Sequence, residues 1–291
     1  MKQQKSIAAL LPRPLNYGMV GDGFRVYNYF PNGYRIREQI SPFLMLDFNP
    51  EFNFGPSSKP RGVDVHPHKG FETVTIAYKG SVAHHDSTGN SGVINPGDVQ
   101  WMTAGAGILH KEYHEQNFSK TGGAFEMVQL WVNLPKKNKL TPPQYQSITA
   151  NEMGELVLPN NGGKVNVIAG ECNGVKGPAT TFTEINAFDM RLNAGAEVET
   201  NISAKHNTGL LVVEGNIEVN GKTAILHDFI LFKNEGETIT IKANEKSVLL
   251  LLSGEPIHEP IAQYGPFVMN TNQEIHEAID EFNSGKFGFL E

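Results

Sequence analysis

Short apolar and β-branched runs recur along the chain, each closed by Gly, Pro, Asn or Asp. They occupy residues 73–76, 128–134, 164–168, 210–213, 217–219, 230–232, 238–242 and 247–252. Runs of this length, separated by turn residues, predict the antiparallel strands of a sandwich or barrel, so the fold class read from the pattern is all-β. Two tight turns fit the same picture: Glu214-Gly215-Asn216, and the Asn220-Gly221 pair, whose residues tolerate positive φ. Helical spacing is clear once, where Ile275, Ala278, Ile279 and Phe282 form an i, i+3, i+4, i+7 stripe. Thr271 and Glu274 stand ahead of it in capping-box spacing. A second helical start is expected near Thr149, with Asn151 and Glu152 in its first turn.

The stretch from Leu134 to Pro143 interrupts the strand pattern with Pro135, Pro142 and Pro143, while Lys136, Lys137 and Lys139 favour solvent. It divides the 291 residues into halves near the modal domain size. The division predicted is a domain over 1–134, a linker over 135–148 and a domain over 149–291 that ends in the helix, which acts as a clasp.

Composition narrows the class. Thirty Gly and seventeen Pro suit a turn-rich β protein, and 39% hydrophobic residues suffice for a core. The net charge of −7 argues against a broad grip on nucleic-acid phosphates, and no basic stripe or DNA-reading helix is visible. Cys172 is the single cysteine, which excludes an intrachain disulfide. The longest aliphatic run, 248–252, is far too short to span a membrane, and 7–11 is too brief for a secretory core. The expectation is a cytoplasmic protein without membrane partners.

The histidines are unevenly placed: His66, His68, His84, His85, His110 and His114 account for six of the ten. In a strand, residues of equal parity share a face, so His66, His68 and Glu72 could line one barrel interior, and His110 and Glu112 another stretch of it. Imidazole and carboxylate together suit Fe, Mn, Co, Ni, Cu or Zn, and no thiolate is near enough to suggest a structural zinc knot. An isolated H-x-H pair is more often a surface feature; the following Glu, the Pro96-Gly97-Asp98 turn and the further H-x-E shift the balance to a metal site. Parity alone leaves the carboxylate open between Glu72 and Glu112. Gly105-Ala106-Gly107 reads as a tight turn rather than a phosphate cradle, because no Gly-Lys-Ser/Thr follows. His84 and His85 are expected on a polar hairpin, and His114 at the cavity or its rim.

Three blocks, His66-Pro67-His68-Lys69-Gly70-Phe71-Glu72-Thr73-Val74, 95–105 and Gly107-Ile108-Leu109-His110-Lys111-Glu112, closely resemble the pirin family. Phe43-Leu44-Met45-Leu46-Asp47, 130–134 and 264–271 extend the resemblance over nearly the whole chain. It implies two cupin-type antiparallel β-barrels face to face, the first holding one divalent metal ion, usually Fe(II), with other transition metals able to substitute. Carried over, the ligands fall on His66, His68, His110 and Glu112, with Glu72 as a residue orienting an imidazole or as the alternative ligand. Ala106 stands where some relatives carry Arg, which removes one positive charge near the site mouth.

Two offsets test the second half for an equivalent site. Laying Gly215 over Gly80 puts His66, His68 and Glu72 on Asn201, Ser203 and Asn207; laying Asp228 over Asp98 puts His110 and Glu112 on Thr240 and Lys242. The expectation is a metal-free second cupin, although His206 and His227 lie close to these positions. Since some pirins resemble quercetinases, the activity implied is opening of the central ring of flavonols such as quercetin with O2 and release of CO. Glu112 would be the base, and Phe54, Val74, Ile76, Tyr78, Met127 and Trp131 the walls of the substrate pocket. The competing class is an iron-containing, redox-sensing regulatory protein with an unidentified protein partner and no flavonol turnover.

Overall fold

A computed structural model describes residues 3–291 as two compact units, each built from a seven-stranded and a four-stranded antiparallel sheet. Both have the cupin-like arrangement of two sheets closing on a shared interior.

One unit comprises 14–35, 43–149 and 257–291. Its large sheet runs in the order Gln144–Ile148, Val99–Thr103, Phe71–Lys79, Gly123–Asn133, Phe43–Phe54, Phe24–Phe30 and Gly18–Val20. The small sheet runs Gly62–His68, Ile108–His114, Val82–Asp86 and Ser91–Ile94. Ala77 and Met127 from the large sheet meet Val82 and Ile94 from the small one, with Phe24, Val26 and Phe125 completing this core. The helix Asn272–Asn283 begins at the expected capping box: Thr271 accepts from the Glu274 N–H, and Glu274 accepts from the Thr271 N–H. Ile275 and Ala278 are buried with Phe267, Met269 and Phe287, against Leu109. The helix therefore packs beside the strand that carries His110.

The other unit comprises the chain up to Arg13, 36–42 and 150–256. Its large sheet runs Ile7–Leu11, Phe229–Phe232, Asn207–Glu214, Ser247–Gly254, Ile185–Leu192, Gly163–Ala169 and Gly154–Val157. Its small sheet runs Glu197–Asn201, Thr238–Ala243, Ile217–Val219 and Lys222–Ala224. Glu197–Asn201 alternates exposed and buried residues, as a strand with one solvent face should. Asn220 and Gly221 both take positive φ between paired Val219 and Lys222, which is the two-residue hairpin their identities require.

The structure departs from the linear reading in four places. The ends of the chain exchange units: Ile7–Leu11 pairs with Phe229–Phe232, and the C-terminal helix belongs with 43–149. The last five residues of the expected linker are strand, since Gln144–Ile148 adds an edge to Val99–Thr103. Lys139 is buried rather than solvated; its Nζ donates to the carbonyls of Gly70 and Val268 and to Asn133 Oδ1. Burial lowers its pKa to about 7. No helix starts at Thr149, where a turn leads into the Gly154–Val157 strand. No helix among the described residues is long and apolar enough to cross a membrane.

Candidate metal centre

The edge strand Gly62–His68 pairs with Ile108–His114 so that His66 faces His110 and His68 faces Ile108. Three imidazoles converge as a result. Ring centroids lie 4.9 Å apart for His66 and His68, 4.3 Å for His66 and His110, and 4.7 Å for His68 and His110. One ring nitrogen from each falls within 4.8 Å of the others. His68 and His110 are buried, while His66 is half-buried toward the edge. Burial first, and the neighbouring imidazoles second, hold His68 and His110 well below the ordinary histidine pKa. Both are neutral at pH 7 and offer lone pairs. Neither His68 Nδ1 nor His110 Nε2 has a hydrogen-bond partner, although each is buried. Such orphaned nitrogens are costly unless a cation takes their lone pairs, so this donor set fits a borderline transition-metal ion.

Glu112 projects from the same strand as His110 and is fixed by three donors on the large sheet. Thr75 Oγ1 and Gln100 Nε2 reach Oε1 at 3.1 and 3.3 Å, and Gln129 Nε2 reaches Oε2 at 2.8 Å. A carboxylate oxygen of Glu112 lies within 4.8 Å of ring nitrogens of both His110 and His84. Two triads, His66–His68–His110 and His84–His110–Glu112, therefore share His110.

His84 is the residue that sequence reasoning misjudged. It lies on the expected hairpin, in the Val82–Asp86 strand paired with Ser91–Ile94, but is fully buried opposite Glu112 instead of sitting in a polar setting. Its Nε2 lies 3.2 Å from Asp86 Oδ2, and its Nδ1 lies 3.5 Å from His110 Nδ1. Asp86 is held by Thr88 and Asn90 as well; although burial raises its pKa, these hydrogen bonds outweigh it and bring it to about 2. The carboxylate can only accept, so His84 donates from Nε2 and accepts at Nδ1 from His110 Nδ1–H. The relay leaves the His110 Nε2 lone pair for the cluster, as an oriented metal-binding imidazole requires. The even spacing of His84 and Asp86, the same as in His110-Lys111-Glu112, was the available signal. His84→Ala is expected to weaken metal affinity by about 10–100-fold without removing the site, as read by competition with a chromogenic chelator.

The other expected residues divide. Glu72 is not with the histidines: Gly70, at φ +85°, turns the chain between sheets, so parity counted from His66 does not carry across. Glu72 accepts from Thr103 Oγ1 at 2.7 Å, and no imidazole bonds it. Val74, Ile76 and Tyr78 share its parity and project from the face opposite Thr75, away from Glu112. Of the expected pocket walls, Trp131 borders the cluster, 5.3 Å from His68. Met127 is in the core and Phe54 packs on His114 and Phe125. His114 donates from Nε2 to the Gly23 carbonyl within that aromatic group. His85 meets the Tyr113 hydroxyl, and Gly105 and Gly107 form the expected turn.

In the second unit, His206 bonds Ser253 Oγ and Glu184, and His227 bonds Arg13. Asn207 donates to the carbonyls of Glu38 and Ser41, and Lys242 is exposed opposite Glu197. Both triads close enough to hold a metal lie in the unit containing 43–149.

Fold and site together define a two-cupin protein whose candidate chemistry is concentrated in one barrel. Residues 23–132 match the pirin family and residues 187–288 the pirin C-terminal cupin domain. The chain belongs to the pirin family. A Pseudomonas aeruginosa protein provisionally named quercetin 2,3-dioxygenase is 44% identical over 94% of this chain and 95% of its own. Mouse pirin is 38% identical, covering 87% of this chain and 84% of its own. The crystal structure of an Acinetobacter baumannii quercetin 2,3-dioxygenase superposes with a TM-score of 0.94 at 46% identity, covering 99% of this chain and all of that one.

Proposed function

We propose that this pirin is a mononuclear metal-dependent dioxygenase that opens the central ring of a flavonol such as quercetin. Support comes above all from the His66–His68–His110 cluster, in which His68 and His110 are buried and neutral, with Glu112 at its side. Those four residues would hold one divalent ion, Fe(II) in this reading. When bound, the ion supplies Lewis acidity toward a substrate hydroxyl and a path for electrons to O2.

The chain's own residues handle orientation and the proton. Thr75, Gln100 and Gln129 fix the Glu112 carboxylate, which takes the proton of the flavonol 3-hydroxyl. The relay through His84 and Asp86 keeps His110 in one tautomer. Trp131, beside His68, offers an apolar wall. Overall, quercetin and one O2 are consumed, and one CO and one ring-opened ester form, so both oxygen atoms are retained in the products.

The test is anaerobic loading of the purified protein with Fe(II), Mn(II), Co(II), Ni(II) or Cu(II), addition of quercetin, then admission of O2 while flavonol absorbance and CO are followed. Turnover with at least one metal is expected, and Glu112→Gln is expected to lower it by at least about 100-fold, the range attributed to a positioned acid–base group. Absence of turnover with every metal overturns the reading.

A further inference from the structure

One polar row crosses the interior face of the large sheet in this barrel. Strand register aligns Asn28 with Asp47, Asp47 with Gln129, Gln129 with Thr75, and Thr75 with Gln100. Residues paired across antiparallel strands present their side chains to the same face, so all five stand at one level inside the barrel. Gln129, Thr75 and Gln100 are the three donors that fix Glu112. Asn28 and Asp47 continue the row past Gln129 and bond each other, Asn28 Nδ2 donating to Asp47 Oδ1 at 2.7 Å. Asp47 makes no other hydrogen bond and no ion pair among the described residues.

The two residues beyond Gln129 line a cavity of about 670 Å³, whose walls also include Tyr17, Met19, Val26 and Met45. That volume lies inside the roughly 300–1,000 Å³ usual for small-molecule sites. Met45 pairs with Trp131, which borders His68, and Asp47 pairs with Gln129, which donates to Glu112, so two residues of the cavity wall lie one strand away from residues that touch the cluster. Arg25 lies over the Tyr17 ring, 4.1 Å from its centroid, and steadies that wall. Two residues along the strand from Asp47, outside the lining of this cavity, Asn49 is buried with neither amide atom partnered. A buried carboxylate with a single donor in the wall of this cavity calls for a ligand that carries its own hydroxyls.

We propose that this cavity receives the substrate and that Asp47, its carboxylate fixed by Asn28, hydrogen-bonds a hydroxyl of a flat, uncharged, hydroxylated aromatic ligand. Asp47 is thus a specificity-determining residue distinct from the candidate metal ligands. The proposal rests on the dioxygenase reading for the identity of the site, but the binding it predicts does not depend on turnover. Burial of Asp47 pushes its pKa up to about 6 and Asn28 offsets only part of that, so the carboxyl lacks a protein partner strong enough to satisfy it. A buried carboxyl in these surroundings repels an anionic ligand and accepts from a phenol. The face opposite Thr75, carrying Val74, Ile76 and Tyr78, takes no part.

The experiment compares wild type, Asp47→Ala and Asp47→Asn for binding of quercetin and of flavone, which has the same skeleton without hydroxyls. Dissociation constants are read under nitrogen by quenching of protein fluorescence, and the metal content of each protein is measured alongside. Wild type is expected to prefer quercetin by at least about tenfold. Asp47→Ala should lose about 10–100-fold for quercetin, the range for a hydrogen bond to a charged group, and leave flavone binding and metal content unchanged. Asp47→Asn should retain part of the preference, because its amide oxygen still accepts. The proposal is overturned if wild type does not discriminate, if Asp47→Ala binds quercetin as wild type does, if both ligands weaken equally, or if a cationic aromatic amine is preferred over quercetin. Quercetin bound with discrimination but never turned over would overturn the dioxygenase reading alone; turnover with an unchanged KM in Asp47→Ala would overturn this inference alone.

Discussion

Replacing His110 with alanine will abolish the stabilisation that a divalent metal gives the wild-type protein. His110 is the one residue common to both triads, so its loss dismantles His66–His68–His110 and His84–His110–Glu112 together. His66→Ala removes a half-buried donor at a sheet edge and leaves His68, His110 and Glu112 in place, so part of the stabilisation should survive. At a free metal concentration a thousandfold above Kd, an ion that binds the folded state alone contributes about 4 kcal/mol. For a unit of this size that is a rise in Tm on the order of 10 °C. Without metal, the two proteins should differ much less. Removing the imidazole loses packing, but it also removes a buried Nε2 that has no partner and costs about 1–3 kcal/mol. Thermal unfolding of wild type, His66→Ala and His110→Ala, each with and without Mn(II) or Ni(II), checks the ordering. A metal-dependent shift that persists in His110→Ala would place the ion elsewhere.

The elements and the imidazole cluster were legible in the sequence for different physical reasons. Strand runs and the Thr271–Glu274 capping box are local, since alternation and cap chemistry act within a few residues. His66 and His68 share a face because they sit within one strand, and the same holds for His110 and Glu112. Parity failed at Glu72 because Gly70 carries the chain from the small sheet to the large one, and a periodicity argument has no force across a turn. Lys139 looked solvated because lysine usually is; three acceptors, two of them carbonyls from Gly70 and Val268, bury it, and those partners lie 69 and 129 residues away. The exchange of chain ends has the same origin. The Ile7–Leu11 strand and the C-terminal helix carry clear local patterns, but each finds its partner more than 150 residues along the chain. His84 was hidden by its setting, since the Asp-Ser-Thr-Gly-Asn turn that follows advertises solvent while the strand before the turn enters the barrel. The row from Asn28 to Gln100 could not be read at all without register, because its five members come from five strands.

Glu72→Gln will make the protein more stable at pH 8 than wild type, and the gap will close as the pH falls toward 4.5. Glu72 is 1% exposed, and Thr103 Oγ1 donates a hydrogen bond to its carboxylate. Burial raises its pKa from the ordinary 4.5 to about 7, with the Thr103 bond pulling weakly the other way. Below pH 4.5 both folded and unfolded chains carry the proton, and the carboxyl costs nothing. Between 4.5 and 7 the unfolded chain ionises while the folded one stays protonated, so stability falls as pH rises, by up to about 1.4 kcal/mol per unit. Above pH 7 the penalty levels off at about 3 kcal/mol, which glutamine, unable to ionise, does not incur. Asp47, raised to about 6, bends the curve in the same direction, whereas Asp86, lowered to about 2, loses its contribution only below pH 4. Both residues are present in wild type and variant, so they cancel in the difference. Urea unfolding of the metal-free proteins at intervals from pH 4.5 to 8 measures it, and a difference that stays flat across that window would overturn the assignment. Metal content should be the same in both proteins, because the Glu72 carboxyl lies with Thr103 and not with His66, His68 and His110; loss of metal in Glu72→Gln would return it to the ligand set in place of Glu112.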